Sequence, residues 1–126
     1  MRAKILNASA GSGKTYQLAY KYVRDVIDQP HLYRHILAVT FTNKATEEMK
    51  SRILKEIHTL ASGAPSPYLT QLCGELQLDE RSVRRRAAEV RSKILHDYSR
   101  FTVLTIDTFF QRILRAFIKE LGLDLN

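Results

Sequence analysis

The chain has 126 residues, 44% of them hydrophobic and 26% charged, and a net charge of +7. That length suits one domain or part of one, large enough for a real core but near the lower end for a complete nucleotide-hydrolysing domain. The longest uncharged apolar run, Ile36 to Phe41, is far too short to cross a bilayer, and the amino terminus lacks the length and cleavage site of a secretory signal. A cytoplasmic protein with no membrane partner is expected. Cys73 is the single cysteine and has no Cys or His at metal-ligand spacing, which excludes an internal disulfide and a zinc site. The positive balance favours a polyanionic partner, although basic surfaces also serve solubility alone.

In chain order, Lys4 to Ala8 form a strand-like run that stops at Ser9-Ala10-Gly11-Ser12-Gly13. Leu18, Ala19, Tyr22, Val23, Val26 and Ile27 then mark one face of a helix that ends at Gln29-Pro30. Ile36 to Phe41, continuous and rich in β-formers, reads as a buried strand and implies a parallel sheet. Asn43 is the expected cap of the next helix, whose stripe is Met49, Ile53, Leu54, Ile57 and Leu60 and whose end lies near Ser62-Gly63. Gly63 to Pro67 is the only Gly/Pro/Ser-rich stretch and marks an insertion boundary. From Asp79 to Tyr98 the pattern is helical, with Val83, Ala87, Val90 and Ile94 on one face and arginines over the remainder. Phe101 to Ile106 reads as a strand. Asp107 is the expected cap of a last helix, with Phe110, Ile113, Leu114, Phe117, Ile118 and Leu121 facing a core and Gly122 as its stop.

A strand, a glycine-containing turn ending in Gly13-Lys14-Thr15 and a following helix make the context in which a phosphate-binding P-loop is expected. The loop spans Ala8, Ser9, Ala10, Gly11, Ser12, Gly13, Lys14 and Thr15. Gly11 and Gly13 let the backbone approach an anion, and the helix amino terminus solvates phosphate oxygens. Lys14 would place its ammonium on the β- and γ-phosphates, and Thr15 would offer its hydroxyl to Mg²⁺, so ATP and Mg²⁺ are the expected cofactors and Lys14 and Thr15 the expected catalytic groups. Ala8 stands where the general pattern has Gly. The same loop serves kinases, GTPases, transporters and motors, so it does not decide the use of the energy. At the second strand-to-helix turn the residues alone favour Phe41 as core and Asn43 as a plain helix cap. Asp107 follows an apolar run as a Mg²⁺-binding carboxylate would, but no Glu follows it and that assignment is rejected.

The loop Ala8 to Thr15, the segment Ala38 to Met49 and the segment Thr102 to Phe109 together resemble three ordered motifs of the UvrD/Rep-like superfamily 1 helicases, which tolerate Ala at the first loop position. Ser9 and the Ile106-Asp107-Thr108-Phe109 form resemble most the RecB/AddA helicase-nuclease branch. The resemblance implies an α/β fold: a partial RecA-like P-loop NTPase domain with a parallel sheet and a helical insertion that begins the accessory 1B region. Residues 1–62 would be the first part of the motor domain, 63–100 the insertion and 101–126 the return to the motor, truncated before the Asp-Glu motif. It further implies single-stranded DNA at Phe41, Thr42 and Asn43, DNA-side groups at Thr105, Asp107 and Thr108, duplex-end DNA as substrate, and a partner subunit. The arginine-rich helix, Arg81 to Lys93, would be either a DNA-backbone track or a solvated face paired with Glu80 and Glu89.

A helicase of this type also needs catalytic carboxylates and a second motor domain, which are expected beyond residue 126, so the isolated chain is expected to turn over no ATP. The parent would be an ATP-dependent DNA helicase, with or without exonuclease, acting in repair or recombination. Two other readings use the same residues differently: a small-molecule kinase, indifferent to DNA, and a non-enzymatic nucleic-acid-binding module, indifferent to Lys14. Polarity, base selectivity and nuclease content are not encoded in these residues.

Overall fold

The computed structural model describes residues 4–7 and 12–122. Three short strands, β1 (Lys4–Asn7), β2 (Ile36–Thr40) and β3 (Thr102–Thr105), form a parallel sheet in that spatial order. Lys4 pairs with Ile36 and Asn7 with Val39 on one side of β2, and Leu37 pairs with Thr102 and Thr40 with Thr105 on the other. Parallel neighbours need crossovers. Here α1 (Ser12–Asp28) joins β1 to β2, and α2 (Asn43–Ser62), α3 (Leu69–Leu76) and α4 (Glu80–His96) lie between β2 and β3. Helix α5 (Ile106–Glu120) follows β3 directly.

The apolar stripes decide which faces are covered. Leu18, Ala19, Tyr22, Val23, Val26 and Ile27 of α1 are all buried, as are Met49, Ile53, Ile57 and Leu60 of α2 and Val83, Ala87, Val90 and Ile94 of α4. They form one cluster with Ile36, Ala38 and Val103 of the sheet. At about 1.5–3 kcal/mol for each large aliphatic side chain taken out of water, this three-helix layer dominates the stability of the chain. Strand side chains alternate between faces, so Leu37, Val39 and Leu104 belong to the reverse face; Val39 is buried outside that cluster, while Leu37 and Leu104 are half-buried.

Helix ends follow local chemistry. Pro30 opens a 3-10 turn (Pro30–Arg34) after α1, where its missing N–H and fixed φ are tolerated. Helix α2 closes on Gly63 in the left-handed region, φ 86°, with Gly63 N–H donating to Leu60 and Ala64 N–H to Thr59. Asp79 caps α4, its Oδ1 accepting from Ser82 N at 2.7 Å, and hydrogen bonding from Ser82, first through its side chain and then through its backbone N–H, holds the Asp79 carboxyl below its ordinary range.

Four expectations need correction. Thr42 rather than Asn43 caps α2, its Oγ1 accepting from Ala45 N at 3.0 Å; Asn43 is already the first helical residue. Thr105 rather than Asp107 caps α5, accepting from Thr108 N at 3.3 Å, and Asp107 sits inside the first turn. The stretch after Gly63 contains an unforeseen helix, α3, where Tyr68 and Leu72 reach the shared core. Last, the α5 stripe does not face a core: Phe110, Ile113, Leu114, Phe117 and Leu121 are 49–60% exposed, and Ile118 is half-buried. The described residues place no surface over it.

Candidate nucleotide and nucleic-acid edge

In a parallel sheet every strand points the same way, so the residues just past each strand gather at one edge. Past Asn7 come Ala8, Ser9, Ala10 and Gly11, which lie outside the described residues, and then the first turn of α1, with Ser12, Gly13, Lys14 and Thr15. Past Thr40 come Phe41 and Thr42 and the amino terminus of α2. Past Thr105 the chain enters α5 at once. Three helix amino termini therefore leave the same edge, each with backbone N–H groups that carry partial positive charge.

The first turns of α1 and α2 contain no acidic residue, and each holds a lysine, Lys14 and Lys44. Lysine at that end opposes the helix dipole and adds to an attraction for anions. Glu47 and Glu48 begin only in the second turn of α2. In α5 the first turn holds Asp107, which complements the dipole from within and makes that terminus the least anion-seeking of the three.

The turn between β2 and α2 is held from below by hydroxyls. Thr40 is buried at 1% exposure, and its Oγ1 lies 2.6 Å from Thr46 Oγ1. Thr46 in turn reaches the Thr42 carbonyl at 3.1 Å, and Thr40 is within 3.4 Å of the Leu104 carbonyl on β3. A hydroxyl has one proton, so these acceptors share it, but the network ties the β2 and β3 ends together. Neither Thr40 nor Thr46 was singled out from the sequence; polar residues at the last strand position and one turn into a helix were the available signal. Above this network Phe41 is 52% exposed and Thr42 and Asn43 are exposed, so Phe41 is not part of the core. Thr105 and Thr108 are half-buried and hydrogen-bonded to each other, with Oγ1 atoms 3.0 Å apart, whereas Asp107 is exposed.

Helix α1 is anchored from the side by an aromatic group. Tyr68 is fully buried and meets Tyr16 and Tyr20 edge-on at 5.0 and 5.2 Å, and its hydroxyl donates to the Tyr16 carbonyl at 3.1 Å. Burial pushes the Tyr68 phenol up to about 12. Tyr20 donates to Glu75 on α3, and Arg52 of α2 lies over the Tyr16 ring at 5.4 Å. The residue directly after Thr15 is thus fixed by α2 and by the segment leading into α3.

The arginine-rich helix uses its cations in more than one way. Arg84 donates from Nη1 to the carbonyls of Leu60 and Ala64 at 3.1 and 3.0 Å, closing the end of α2. Arg86 does the same for α1, reaching Ile27 and Asp28 at 3.3 and 2.8 Å. Helix carbonyl ends are negative and unsatisfied, which suits both guanidinium groups. Arg84 also pairs with Glu80 at 3.7 Å, and Arg91 donates to His58 Nδ1 at 3.1 Å. Arg81 and Arg85 are exposed. Among the described residues no cluster of His, Cys, Asp and Glu could hold a metal ion, and no helix is long and apolar enough to cross a membrane.

The family model for the UvrD/REP helicase N-terminal domain matches residues 2–126. The RecB subunit of the RecBCD enzyme from Haemophilus influenzae is 31% identical over 97% of this chain, and that from Escherichia coli is 30% identical over 95%. One subunit of the ATP-dependent helicase/nuclease from Exiguobacterium sibiricum is 32% identical over 95%. The chain spans 11% of the length of the two RecB subunits and 8% of that of the Exiguobacterium protein. No solved structure matches. With the match covering nearly its whole length, the chain belongs to the UvrD/REP helicase N-terminal domain family.

Proposed function

We propose that this chain is the ATP-binding part of a DNA helicase or helicase-exonuclease that translocates on single-stranded DNA in repair or recombination. The observation that carries the reading is that three parallel strands end at one sheet edge, each followed by a helix, with Phe41 exposed after the central one. On this reading the fold is a partial RecA-like domain. Residues 1–62 and 101–126 are motor, and 63–100 open the accessory 1B region.

The chemistry of the first turn of α1 fits a nucleoside triphosphate with Mg²⁺: no carboxylate competes for the site, and lysine and threonine follow the glycine turn. ATP supplies the free energy of phosphoryl transfer when bound. Ala8 to Gly13 would cradle its phosphates through backbone N–H groups, Lys14 would neutralise charge on the β- and γ-phosphates, and Thr15 would hold Mg²⁺. On the neighbouring turns Phe41 would stack on a base, and Thr42, Asn43, Thr105, Asp107 and Thr108 would contact sugar and phosphate. The Thr40–Thr46 pair then keeps the two DNA-side turns in one register while nucleotide binds beside them.

The parent would act in the cytoplasm on single-stranded and duplex-end DNA, together with a partner chain of the kind that the names of the RecBCD relatives suggest. Catalytic carboxylates and a second motor domain would come from polypeptide outside these 126 residues, and the same polypeptide would cover the α5 stripe and the half-open reverse face of the sheet. Isolated, the chain would bind nucleotide and DNA weakly and hydrolyse nothing. Fluorescence anisotropy with a labelled oligothymidylate of about 20 nucleotides tests the DNA side. Binding that Phe41→Ala weakens supports the reading, and binding indifferent to Phe41→Ala and to a Thr42→Ala/Asn43→Ala pair contradicts it.

A further inference from the structure

The strand ends opposite the motif edge carry a second concentration of cations. The 3-10 turn before β2, the last turn of α4 and a second 3-10 turn (Tyr98–Arg100) before β3 meet around a cavity of about 550 Å³. Arg34, Lys93 and Arg100 line it together with His31, His35 and His96, and Asp97 is the one carboxylate in its wall. Three fixed positive charges against one negative leave the cavity cationic before any imidazole is protonated.

The arrangement is built from the inside outward. Tyr33, 3% exposed, donates its phenol proton to Asp97 Oδ2 at 2.8 Å. The same oxygen receives Arg34 Nη2 at 3.2 Å and Arg100 Nε at 3.6 Å, and Arg34 Nε also donates to the Tyr33 hydroxyl at 3.2 Å. A buried phenol therefore fixes a carboxylate, and the carboxylate fixes two guanidinium groups at the surface. Each guanidinium has five donors, so most remain for an added anion, which planar bidentate geometry suits when that anion is a phosphate. His96 donates from Nδ1 to the Ser92 carbonyl at 2.7 Å, which defines its tautomer and leaves Nε2 as its remaining polar atom.

Two features select the kind of anion. The Arg34 and Arg100 side chains are 48% and 62% exposed, so the cations sit on an open rim over which an extended polyanion can pass. The one tyrosine in the wall, Tyr33, is buried against Asp97, so what the wall offers a ligand is mainly guanidinium, ammonium and imidazole groups. Those cationic donors suit phosphate oxygens, the sequence-independent part of a nucleic acid. β2 alone, five residues at about 3.3 Å each, puts roughly 13 Å between its two ends, so one phosphodiester cannot touch both this cavity and the Phe41 turn.

We propose that the cavity formed by Arg34, Lys93, Arg100 and the three histidines is a second DNA site, which holds the phosphodiester backbone of a segment distinct from the strand at the motif edge. The proposal rests on DNA being the partner of this chain. It adds a sequence-independent, salt-sensitive contact at the far end of the sheet.

The test is anisotropy of the 126-residue chain with a labelled duplex of about 20 base pairs and with oligothymidylate of about 20 nucleotides, across a salt series. Lys93→Gln/Arg100→Gln should weaken both by about tenfold and lower the slope of log affinity against log salt by about 2, while Lys93→Arg keeps both values. Circular dichroism checks the fold; if the double variant is perturbed, the exposed Lys93→Gln decides alone, with an expected slope change of about 1. Unchanged affinity and slope in a folded variant overturn the site, and if Phe41→Ala still weakens binding the motif-edge reading survives that failure. Oligothymidylate that the wild-type chain does not bind at all removes both. Calorimetric titration with inorganic phosphate separates the remaining source: saturable submillimolar binding, lost in the double variant while DNA affinity stays, would make this a free-phosphate site and overturn the proposal.

Discussion

Helices α4 and α5 have much in common on paper. Each carries an unbroken apolar stripe, arginines beside it and an oxygen-bearing residue at its cap. In α4 every stripe position is buried and two arginines reach the carbonyl ends of neighbouring helices; in α5 the stripe lies open to solvent. Periodicity states that a face is fit for burial, and it does not state that the partner surface lies within these residues. For α4 the main partner is α2, the helix that closes the same core layer; for α5 the main neighbours among the described residues are β2 and β3.

That contrast can be broken most sharply with one charge placed in each stripe. Val90→Asp buries an unpaired carboxylate in the three-helix layer and should abolish the cooperative urea transition, a loss beyond about 4 kcal/mol, whereas Phe117→Asp in α5 should shift it by less than about 0.5 kcal/mol. Equal effects would mean that the α5 stripe is covered in solution. Phe41→Ala comes next in size: about tenfold weaker binding to oligothymidylate, with an unchanged melting temperature because the ring is already half exposed. A large drop in stability would return Phe41 to the core.

Arginine roles within α4 give a smaller and more selective test. Arg86→Ala removes donors from two carbonyls of α1 and should cost about 1 kcal/mol in urea denaturation, while Arg85→Ala, exposed, should stay within about 0.5 kcal/mol. The smallest effect concerns pH. The Asp79 and Glu75 carboxyls are both held below their ordinary values, Asp79 chiefly by Ser82 and Glu75 chiefly by Gln71 and then Tyr20. A lowered folded value means that the stabilisation is fully present above the ordinary carboxylate range and is lost as pH falls through it. Acid titration of the melting temperature should therefore decline less steeply below about pH 5 in Asp79→Asn than in the parent sequence.

Much of this architecture was legible because local pattern and global packing agree. The stripes of α1, α2 and α4, the parallel sheet and the left-handed stop at Gly63 all follow from residue type and spacing. Both misassigned caps fall where two capping residues compete within a turn, Thr42 beside Asn43 and Thr105 near Asp107, and the strand register selects the earlier one. Helix α3 was illegible because eight residues containing Gly74 have little intrinsic helicity; Tyr68 and Leu72 hold it by tertiary contact. At the candidate site, motif order was readable, but the Thr40–Thr46 pair and the aromatic anchor at Tyr68 were not, since the latter joins residues 52 apart. The capping arginines escaped for the same reason: Arg86 meets its carbonyls 58 and 59 residues away.

The central claim is that the sheet edge couples a nucleotide to a DNA strand, and coupling is measured directly by ATP hydrolysis with and without oligothymidylate in the longer parent proposed above. The account predicts strong stimulation by single-stranded DNA, lost in Lys14→Ala and reduced in Phe41→Ala. Hydrolysis that ignores DNA, or stimulation that survives Lys14→Ala, would contradict it.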